Sequence, residues 1–355
     1  MLDARIRKRF PSGPDSTGFA LELDLRAGPG VTVLFGPSGA GKTLTLDCIA
    51  GFVPPDAGRI LLDDEMLFDG ERRVSVPPQK RHCGYVFQSY TLFPHMSLRK
   101  NLDFALQGTP RLDRHRRINE MLQRFSLADV AGRRPHQVSG GQQQRCSIAR
   151  AIIRPRRLLL LDEPARGLDA PLRQDLYAII RQVNEELRVP VLFVSHDLDE
   201  CFALAGEMIV LSEGRIVQTG SPKEIVNKPA SPDVVRMLGV SNLLRMEVRA
   251  LDPGRNSSRL RYNDVELAGP YLPGKLIGDQ VWICVRPDLL VASPREGRPA
   301  PNQVPATLVH AAETPKGVRL QFAGDVVVEM PGSIEEIRRT KDWVIEFPAS
   351  ELRAL

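Results

Sequence analysis

The sequence predicts an α/β domain that contains a helical subdomain and is followed by a smaller β-rich domain. Strand-like apolar runs alternate with helical segments in the first part of the chain; the runs are VTVLFG (31–36), CGYVF (83–87), RLLLLD (157–162), VPVLFVS (189–195) and EMIVLS (207–212). Such strands between helices are typical of a sheet buried on both faces. From about Leu243, short alternating runs lie between glycine and proline turns, which predicts a barrel-like β domain. We place the domains at residues 1–238 and 239–355.

Local signals support each part of this organisation. The segment TLTLDCIAG has helical spacing and ends at Gly51, a residue type that often terminates helices. Between Cys83 and Leu158 the pattern becomes mainly helical, in segments such as SLRKNLDFAL and RHRRINEMLQRFSL. This predicts a helical subdomain at about residues 89–156, inserted in the α/β domain.

The composition limits which partners, cellular compartment and membrane association are expected for the protein. The chain has 355 residues, 42% of them hydrophobic, and a net charge of +5, which suits a partner that carries phosphate. Its cysteines are scattered without a CxxC pair, which excludes a zinc knuckle and a disulfide framework and favours a reducing compartment; they are Cys48, Cys83, Cys146, Cys201 and Cys284. We expect no signal peptide and no membrane span, because no apolar run is long enough.

A glycine-rich loop, GPSGAGKT (36–43), lies between an apolar strand and a helix and matches the pattern GxxxxGK[ST]. In this pattern successive backbone N–H groups face a phosphate, the lysine reaches the β- and γ-phosphates, and the threonine can bind Mg²⁺. We therefore predict a site for a nucleoside triphosphate, formed by Gly36, Pro37, Ser38, Gly39, Ala40, Gly41, Lys42 and Thr43.

Two carboxylates follow the buried run LLLLDEP (158–164), at the edge of the sheet where open α/β folds bind ligands. Asp162 is predicted to hold Mg²⁺, and Glu163 to polarise the attacking water. Phosphoryl transfer requires charge neutralisation and an oriented nucleophile, and Lys42, Thr43 and these two carboxylates supply both.

Two further polar residues end strand-like runs. His196 follows VPVLFVS, and the sequence DLDE after it predicts a helix start in which Asp197 caps the helix and Glu200 completes the capping box. Gln88 follows CGYVF, and its amide suits both metal binding and the orientation of water. We expect both His196 and Gln88 to face the same crevice.

A second helix start follows the stretch VSGGQQQR (138–145). Ser139 and Gln142 have capping-box spacing, and Gly140 and Gly141 leave the first helical N–H groups uncovered. Such a helix start binds anions. The chain thus contains two predicted phosphate sites.

The order of these motifs resembles that of the ATP-binding-cassette (ABC) ATPases over about residues 1–235; the motifs are GPSGAGKT, Gln88, SGGQQQR, LLLLDEP, Asp169 and His196. The resemblance implies a P-loop NTPase fold, ATP and Mg²⁺ as cofactors, and a head-to-tail homodimer. In that dimer the signature loop of one copy, formed by Ser139, Gly140, Gly141 and Gln142, contacts the γ-phosphate held by the other copy.

The resemblance also implies residue roles. It assigns Gln88 to sensing of Mg²⁺ and water, Glu163 to the catalytic base and His196 to a switch on the γ-phosphate. Thr43, Gln88 and Asp162 are the implied metal-binding residues, and Asp169 belongs to the nucleotide-binding set.

One stretch differs from the family pattern, and the residue that contacts adenine has two candidates. The stretch that is usually serine-alanine-leucine-aspartate is ARGLD here, so that Arg166 and Gly167 replace small residues. The aromatic residue that stacks on adenine is predicted to be Phe10, with Phe19 as the alternative.

The segment GYVFQSYTLFPHMSLRKNL (84–102) resembles the permease-coupling region of bacterial importer ATPases, in which Tyr90 and Phe93 suit a groove for a permease helix or else pack on the helical subdomain. The tail resembles an oligomer-binding-like (TOBE/Mop) accessory domain. The resemblance implies a peripheral motor on the cytoplasmic face of the inner membrane, with integral permease subunits and, indirectly, a periplasmic or surface solute-binding protein as partners.

The segments VSVPPQKRHCGYVFQ and APNQVPATLVHAAETPKGVRLQFAG and the overall length resemble the molybdate/sulfate importers most. This resemblance implies an oxyanion as cargo, molybdate first, then sulfate or tungstate, although Ala300 and Pro301 replace the serine and arginine expected before Asn302 in an oxyanion-binding tail. Importers for iron, polyamines or sugars are alternatives. A soluble ABC ATPase acting on nucleic acid would suit the basic charge, but no nucleic-acid partner is expected because no basic aromatic stripe is present. Glu163 and His196 disfavour an ABC protein that binds ATP without hydrolysing it.

Overall fold

The computed structural model describes residues 1–12, 18–295, 297–315, 317–337 and 342–355. The chain forms two compact units, Met1–Ile225 and Val226–Leu355. The elements of the first unit, in chain order, are β1 (Leu2–Phe10), β2 (Phe19–Ala27), β3 (Gly30–Phe35), α1 (Lys42–Ala50), β4 (Ala57–Leu62), β5 (Glu65–Asp69), β6 (Val74–Ser75), β7 (Cys83–Val86), α2 (Leu98–Ala105), α3 (Arg111–Arg124), α4 (Gly140–Ile152), β8 (Leu158–Asp162), α5 (Ala170–Leu187), β9 (Pro190–Ser195), α6 (Leu198–Leu204), β10 (Glu207–Ser212) and β11 (Arg215–Gly220).

The predicted apolar strands form one sheet of the first unit, in the order β11-β10-β3-β9-β8-β7. Neighbouring strands from β10 to β7 pair in parallel, and β11 closes the edge antiparallel to β10. Strands β8 and β9 are buried along their whole length. The α/β fold predicted for this part of the chain is confirmed.

A second, antiparallel sheet of order β2-β1-β4-β5-β6 was not predicted. Its first two strands, LDARIRKRF and FALELDLRA, alternate between buried apolar and exposed charged residues, so each has only one face toward the core. Buried side chains of β1 and β2 share one cluster with those of α1 and of the parallel strands. Helix α1, which follows the glycine-rich loop, is thereby packed on both sheets.

The predicted helical subdomain contains α2, α3 and α4, with short 3-10 helices at Ala128–Val130 and Pro135–Gln137. Asn101 on α2 is fully buried and organises the loop before it. Its Oδ1 accepts from the Phe93 backbone N–H at 2.8 Å, and its Nδ2 donates to the carbonyls of Phe93 and Ser97 at 3.2 and 3.1 Å. The loop from residue 93 to 97 is therefore fixed by one buried amide.

The second unit is β-rich, as predicted. After α7 (Pro222–Asn227), which spans the division between the units, it contains α8 (Pro232–Leu238), β12 (Asn242–Asp252), β13 (Ser257–Tyr262), β14 (Val265–Pro270), β15 (Gln280–Val285), β16 (Val291–Pro294), β17 (Gln303–Thr314), β18 (Gly317–Phe322), β19 (Val326–Met330), α9 (Ile334–Ile337), β20 (Asp342–Glu346) and β21 (Arg353–Ala354). Two antiparallel sheets, of order β14-β13-β12-β15-β21 and β16-β20-β17-β18-β19, enclose a single apolar core.

Asn302, the tail residue singled out from the sequence, joins segments of this second unit. Its Oδ1 accepts from the Ala268 N–H at 2.7 Å, and its Nδ2 donates to the carbonyls of Ala268 and Phe347 at 3.0 and 2.8 Å. These hydrogen bonds occupy its amide within the fold. Across the described residues of both units, no helix has the length and apolar composition needed to cross a membrane.

Arg81 ties the end of α1 to the segment that leads into β7. The side chain is 1% exposed, and its Nη1 donates to the carbonyls of Cys48 and Ile49 at 3.0 and 2.8 Å, while Nε donates to the Val76 carbonyl at 2.7 Å. The last carbonyls of a helix have no partner within the helix, and this guanidinium supplies one. Gly51 follows with φ 87°, and a Cβ there would lie 2.6 Å from the Arg81 Nε.

We expect Arg81→Met to lower the free energy of unfolding of the first unit by about 3 kcal/mol, because charge-assisted hydrogen bonds are lost and buried helix carbonyls stay unpaired. Urea unfolding followed by far-UV circular dichroism measures the change. Exposed Arg181, on α5, gives the control Arg181→Met, which should be neutral. A loss below about 1 kcal/mol for Arg81→Met, similar to an exposed ion pair, would contradict this role.

Candidate nucleotide-binding and catalytic site

The glycine-rich loop connects β3 to α1 at the carboxyl edge of the parallel sheet. Gly36 has φ 155°, and a Cβ there would lie 2.2 Å from the Leu211 carbonyl oxygen of β10. Gly41 has φ 100°, and a Cβ there would lie 2.8 Å from Leu21 Cδ1 and 3.1 Å from Phe19 Cζ. The loop is thus held between neighbouring strands at a distance that only glycine permits.

Lys42, the first residue of α1, lies inside this loop. It is 6% exposed, and its Nζ donates to the carbonyls of Gly36 and Pro37 at 2.7 and 2.8 Å. Burial lowers the pKa of the ammonium, and the nearby carboxylates of Glu163 and Asp162 oppose that effect. A buried cation held by the carbonyls of the loop is positioned to bind phosphate oxygens.

Asp162, at the end of β8, pairs with the residue after Lys42. The Thr43 hydroxyl donates to its Oδ1 at 3.0 Å, and the Asp162 side chain is buried. Burial raises the pKa of this carboxyl to about 6, while the hydrogen bond from Thr43 opposes the shift. A hydroxyl and a buried carboxylate in contact are oxygen donors that suit a magnesium ion, and such an ion would compensate the buried charge.

Glu163 lies at the centre of a polar cluster and has φ 42°. Its Oε2 accepts from Gln88 Nε2 at 2.8 Å, and its Oε1 is 3.4 Å from His196 Nδ1. Arg166 also contacts Oε2, with Nη1 at 3.4 Å. The structure therefore brings together Gln88, Glu163 and His196, and it adds Arg166, which the sequence analysis treated only as a departure from the family pattern.

The predicted capping box after His196 is wrong in one part. Asp197 caps α6, but it does so by accepting from the Asp199 N–H at 2.8 Å. Glu200 is 7% exposed and accepts instead from the hydroxyls of Tyr177, at 3.1 Å, and Ser195. Burial raises the pKa of the Glu200 carboxyl, and the two hydroxyl donors oppose the shift. The spacing of Asp197 and Glu200 predicted a capping box, but it could not reveal these partners of Glu200, which lie on α5 and β9.

The signature loop forms the predicted capping box at the start of α4. Ser139 Oγ accepts from the Gln142 N–H at 3.3 Å, and Gln142 Oε1 accepts from the Ser139 N–H at 3.1 Å. A Cβ at Gly141 would meet Leu172 at 2.9 Å, and one at Gly140 would meet the Tyr90 hydroxyl at 2.9 Å. In the described chain, the hydrogen bonds of this loop do not reach Lys42, Thr43 or Asp162.

The remaining predicted residues are Asp169 and the two candidates for the adenine-stacking aromatic residue, Phe10 and Phe19. Asp169 caps α5 by accepting from the Leu172 N–H at 3.0 Å. Phe19 lies beside Gly41 of the phosphate-binding loop, since a Cβ at Gly41 would lie 3.1 Å from the Cζ of the Phe19 ring. Phe10 is opposite Phe19 in the β1–β2 ladder, is 43% exposed and lies under the Lys8 ammonium, 5.6 Å from the ring centroid. Its contact with adenine stays a prediction.

A cavity of about 730 Å³ opens beside Thr43 and Asp162; its other lining residues include Asp47, Phe52, Tyr85, Phe87, Gln88 and Arg166. The Tyr85 hydroxyl donates to Asp47 Oδ1 at 2.9 Å, which joins β7 to α1. The Tyr85 and Phe87 rings lie 4.2 Å apart, and Phe52 packs against both. This aromatic wall was missed from the sequence, because no motif spacing marks it.

Tyr85 and Phe87 also border a groove of about 360 Å³ on the helical subdomain, with Thr91, Phe93, Phe104, Ala105, Arg150, Ala151 and Arg156. The Phe93 and Phe104 rings are 4.7 Å apart. The Arg150 guanidinium lies 5.4 Å from the Phe93 ring centroid and donates to the Thr91 carbonyl at 3.0 Å. Phe93 and Tyr90 are both half-buried.

Comparisons with known proteins identify the family of the chain. The family model described as ABC transporter matches residues 20–166. The molybdenum import ATP-binding protein ModC of Rhodospirillum rubrum is 37% identical over 232 residues, covering 65% of this chain and 63% of that protein. The spermidine/putrescine import ATP-binding protein PotA of Nitratidesulfovibrio vulgaris is 40% identical over 288 residues, covering 79% of this chain and 75% of that protein.

A solved structure extends the comparison to the fold. The dimeric post-hydrolysis structure of the ATP-binding cassette MJ0796, bound to ADP and Pi, covers 62% of this chain and 99% of its own, with a TM-score of 0.55 and 26% identity. The motifs, the parallel sheet that positions them and these relatives lead to one assignment. The chain belongs to the ABC transporter family, as an ATPase of the importer type with a β-rich C-terminal unit.

Proposed function

We propose that the chain is the ATP-hydrolysing motor subunit of a bacterial importer, and that Glu163 is its catalytic base. The observation that carries the proposal is the cluster in which Glu163 contacts Gln88, at 2.8 Å, and His196, at 3.4 Å, one residue after the Asp162–Thr43 pair. A base beside a metal-binding carboxylate and a buried lysine is what water-mediated phosphoryl transfer requires.

In the proposed mechanism the loop N–H groups and Lys42 would hold the phosphates of ATP, and Thr43, Asp162 and Gln88 would supply the ligands for a magnesium ion. When bound, that ion neutralises charge on the phosphate oxygens. Glu163 accepts the proton of the attacking water, and His196 contacts the γ-phosphate from the neighbouring strand end. Each of these side chains follows the carboxyl end of a strand or begins the helix after it, so the sheet fixes their mutual distances.

We further propose that the active form is a head-to-tail homodimer. Ser139 is exposed, and the hydrogen bonds of its loop stay within that loop. The first N–H groups of α4 are therefore available to a phosphate, and a second copy supplies one. The MJ0796 cassette was solved as a dimer bound to ADP and Pi, which supports this arrangement.

The groove is proposed to receive a helix of an integral membrane permease, which would hold the chain at the cytoplasmic face of the inner membrane. Its apolar floor, formed by Phe93 and Phe104, and its arginine rim, at Arg150 and Arg156, suit an amphipathic segment. A periplasmic or surface solute-binding protein would act on the permease and not on this chain.

For the cargo we propose an oxyanion, molybdate before sulfate or tungstate, and we keep polyamine import as the second candidate. The ModC relative supports the first and the PotA relatives, at 39–42% identity, support the second. We also propose that residues 239–355 form a TOBE/Mop-like accessory domain, with residues 1–238 as the ATPase. In that domain the side-chain amide of Asn302 is hydrogen-bonded to backbone groups of Ala268 and Phe347. It is therefore not free to bind an oxyanion in the tail.

The reconstituted transporter tests the proposed function and its cargo together. ATPase activity is measured in proteoliposomes across a panel of molybdate, tungstate, sulfate, ferric iron, spermidine and maltose. We expect stimulation by the oxyanions, molybdate most strongly. Stimulation by spermidine alone would replace the first cargo with the second, and DNA-dependent ATPase activity without a permease would overturn the importer assignment.

Replacing the proposed base by an amide, Glu163→Gln, is expected to lower kcat by about a hundred-fold or more, because proton acceptance is lost while the hydrogen bond from Gln88 can persist. With ATP and Mg²⁺ the variant should elute as a dimer in size-exclusion chromatography with light scattering. Glu65→Gln, on β5, is the matched control and should keep the wild-type rate. A monomer under all conditions would count against the dimer.

Lys42→Ala should reduce kcat/KM for ATP by about a hundred-fold or more, since a preorganised cation at the transferred phosphoryl group is removed. A coupled phosphate-release assay measures it. Lys223→Ala, on α7, controls for loss of a positive charge. Activity within a few-fold of wild type in Lys42→Ala would refute the role of this lysine.

Phe93→Ala should weaken retention of the chain on membranes that contain its permease while it leaves basal ATPase activity unchanged, because the ring forms the floor of the groove and lies outside the catalytic cluster. Co-sedimentation with permease-containing vesicles measures retention. Leu112→Ala, a residue 87% exposed on α3, is the control. Unchanged retention of Phe93→Ala would remove the groove from the permease contact.

A further inference from the structure

We infer that Arg166 is a positioning residue that holds the Glu163 carboxylate in a resting orientation and so slows ATP hydrolysis by the isolated subunit. The inference rests on the proposed function and adds a restraint on its catalytic base. The restraint comes from Arg166 in the sequence ARGLD, where the family pattern has a small residue. A serine at position 166 would bring neither a charge nor the reach of a guanidinium.

The turn after β8 directs Arg166 back toward the base. The Arg166 N–H donates to the Glu163 carbonyl at 3.1 Å, and the Leu168 N–H donates to the Ala165 carbonyl at 3.2 Å, so the backbone reverses within a few residues. Gly167, with φ 76°, completes the reversal. Arg166 Nη1 then lies 3.4 Å from Glu163 Oε2.

The contacts leave the base engaged on both oxygens. Oε2 accepts from Gln88 and also faces Arg166, and Oε1 faces His196. A general base must direct a free lone pair at the water it deprotonates. Gln88 and Arg166 together occupy both lone pairs of Oε2, so one of these two donors must move before Oε2 can accept a proton from the water.

Of the two donors on Oε2, Arg166 makes the longer contact, at 3.4 Å against 2.8 Å for Gln88, and its side chain is 63% exposed. It borders the 730 Å³ cavity beside Thr43 and Asp162 and also a smaller cavity of about 170 Å³ beside His196 and Ser195. Among the described residues that line these two cavities, Arg166 is the one they share. Displacement of this side chain would open a path between the magnesium-binding pair and the histidine.

The test compares basal ATPase rates of the purified full chain for wild type, Arg166→Ser, Arg166→Gln and Arg166→Lys. We expect the serine and glutamine variants to hydrolyse ATP about two- to five-fold faster, the size expected for release of one exposed ion pair. Lysine keeps the cation and should restore a rate close to wild type, a rescue that a purely structural role would not predict. Arg181→Ser, elsewhere on the surface, is the control.

A second measurement uses the reconstituted transporter. Because assembly is expected to release the restraint in wild type, the stimulated rate should be similar in all variants, and the ratio of stimulated to basal rate should fall in Arg166→Ser. If Arg166→Ser fails to fold, as judged by thermal unfolding, Arg166→Gln decides the same question.

The outcomes separate the inference from the proposed function. Wild-type hydrolysis with an equal or slower rate in Arg166→Ser and Arg166→Gln would overturn the inference alone, a slower rate assigning Arg166 to catalysis. Absence of hydrolysis in wild type, basal and stimulated, would overturn both. A faster rate in the serine variant that lysine does not reverse would show that loss of the cation is not the cause and would also overturn the inference.

Discussion

The position of the Glu163 carboxylate depends on the parallel pairing of β7, β8 and β9. In this register Val86, Leu161 and Phe193 lie side by side, so the residues that follow these strands reach one edge of the sheet. Gln88, Glu163 and His196 are those following residues. Because β8 and β9 are buried along their length, a slip of one residue would interchange the side chains packed on the two faces of the sheet and would move Glu163 away from Gln88 and His196. The polar cluster around Glu163 is thus a consequence of core packing.

The same edge connects to the helical subdomain through aromatic side chains. The Tyr85 hydroxyl donates to Asp47 of α1, and its ring packs at a tilt against Phe87, which lies one residue before Gln88. On the other side of this wall is the groove that Arg150 and Phe93 border. Phe93 shares this groove with Tyr85 and Phe87, which also line the cavity beside Thr43 and Asp162. The groove and the cavity beside Thr43 and Asp162 therefore share the aromatic side chains of Tyr85 and Phe87 as lining.

Much of this arrangement could be predicted from the sequence, for reasons that are local. The strand, glycine loop and helix around Lys42 have a fixed spacing, and the capping box of Ser139 and Gln142 lies within four residues. The antiparallel sheet was missed although LDARIRKRF and FALELDLRA carry a period of two, because both strands alternate apolar with charged residues and lie outside the motifs. The partners of Glu200, on Tyr177 and Ser195, come from other elements. The contact of Arg166 with Glu163 depends on a backbone turn after β8, and the sequence ARGLD did not predict this turn.

In the proposed homodimer, each nucleotide site combines the phosphate-binding loop of one copy with the signature loop of the other. Disulfide cross-linking between Ser38→Cys and Ser139→Cys, placed on separately tagged copies, tests this most directly, since both positions are exposed. The account predicts a covalent dimer that joins the two tags only when a non-hydrolysable ATP analogue and Mg²⁺ are present. Cross-linking that is independent of nucleotide, or none with nucleotide bound, would contradict it.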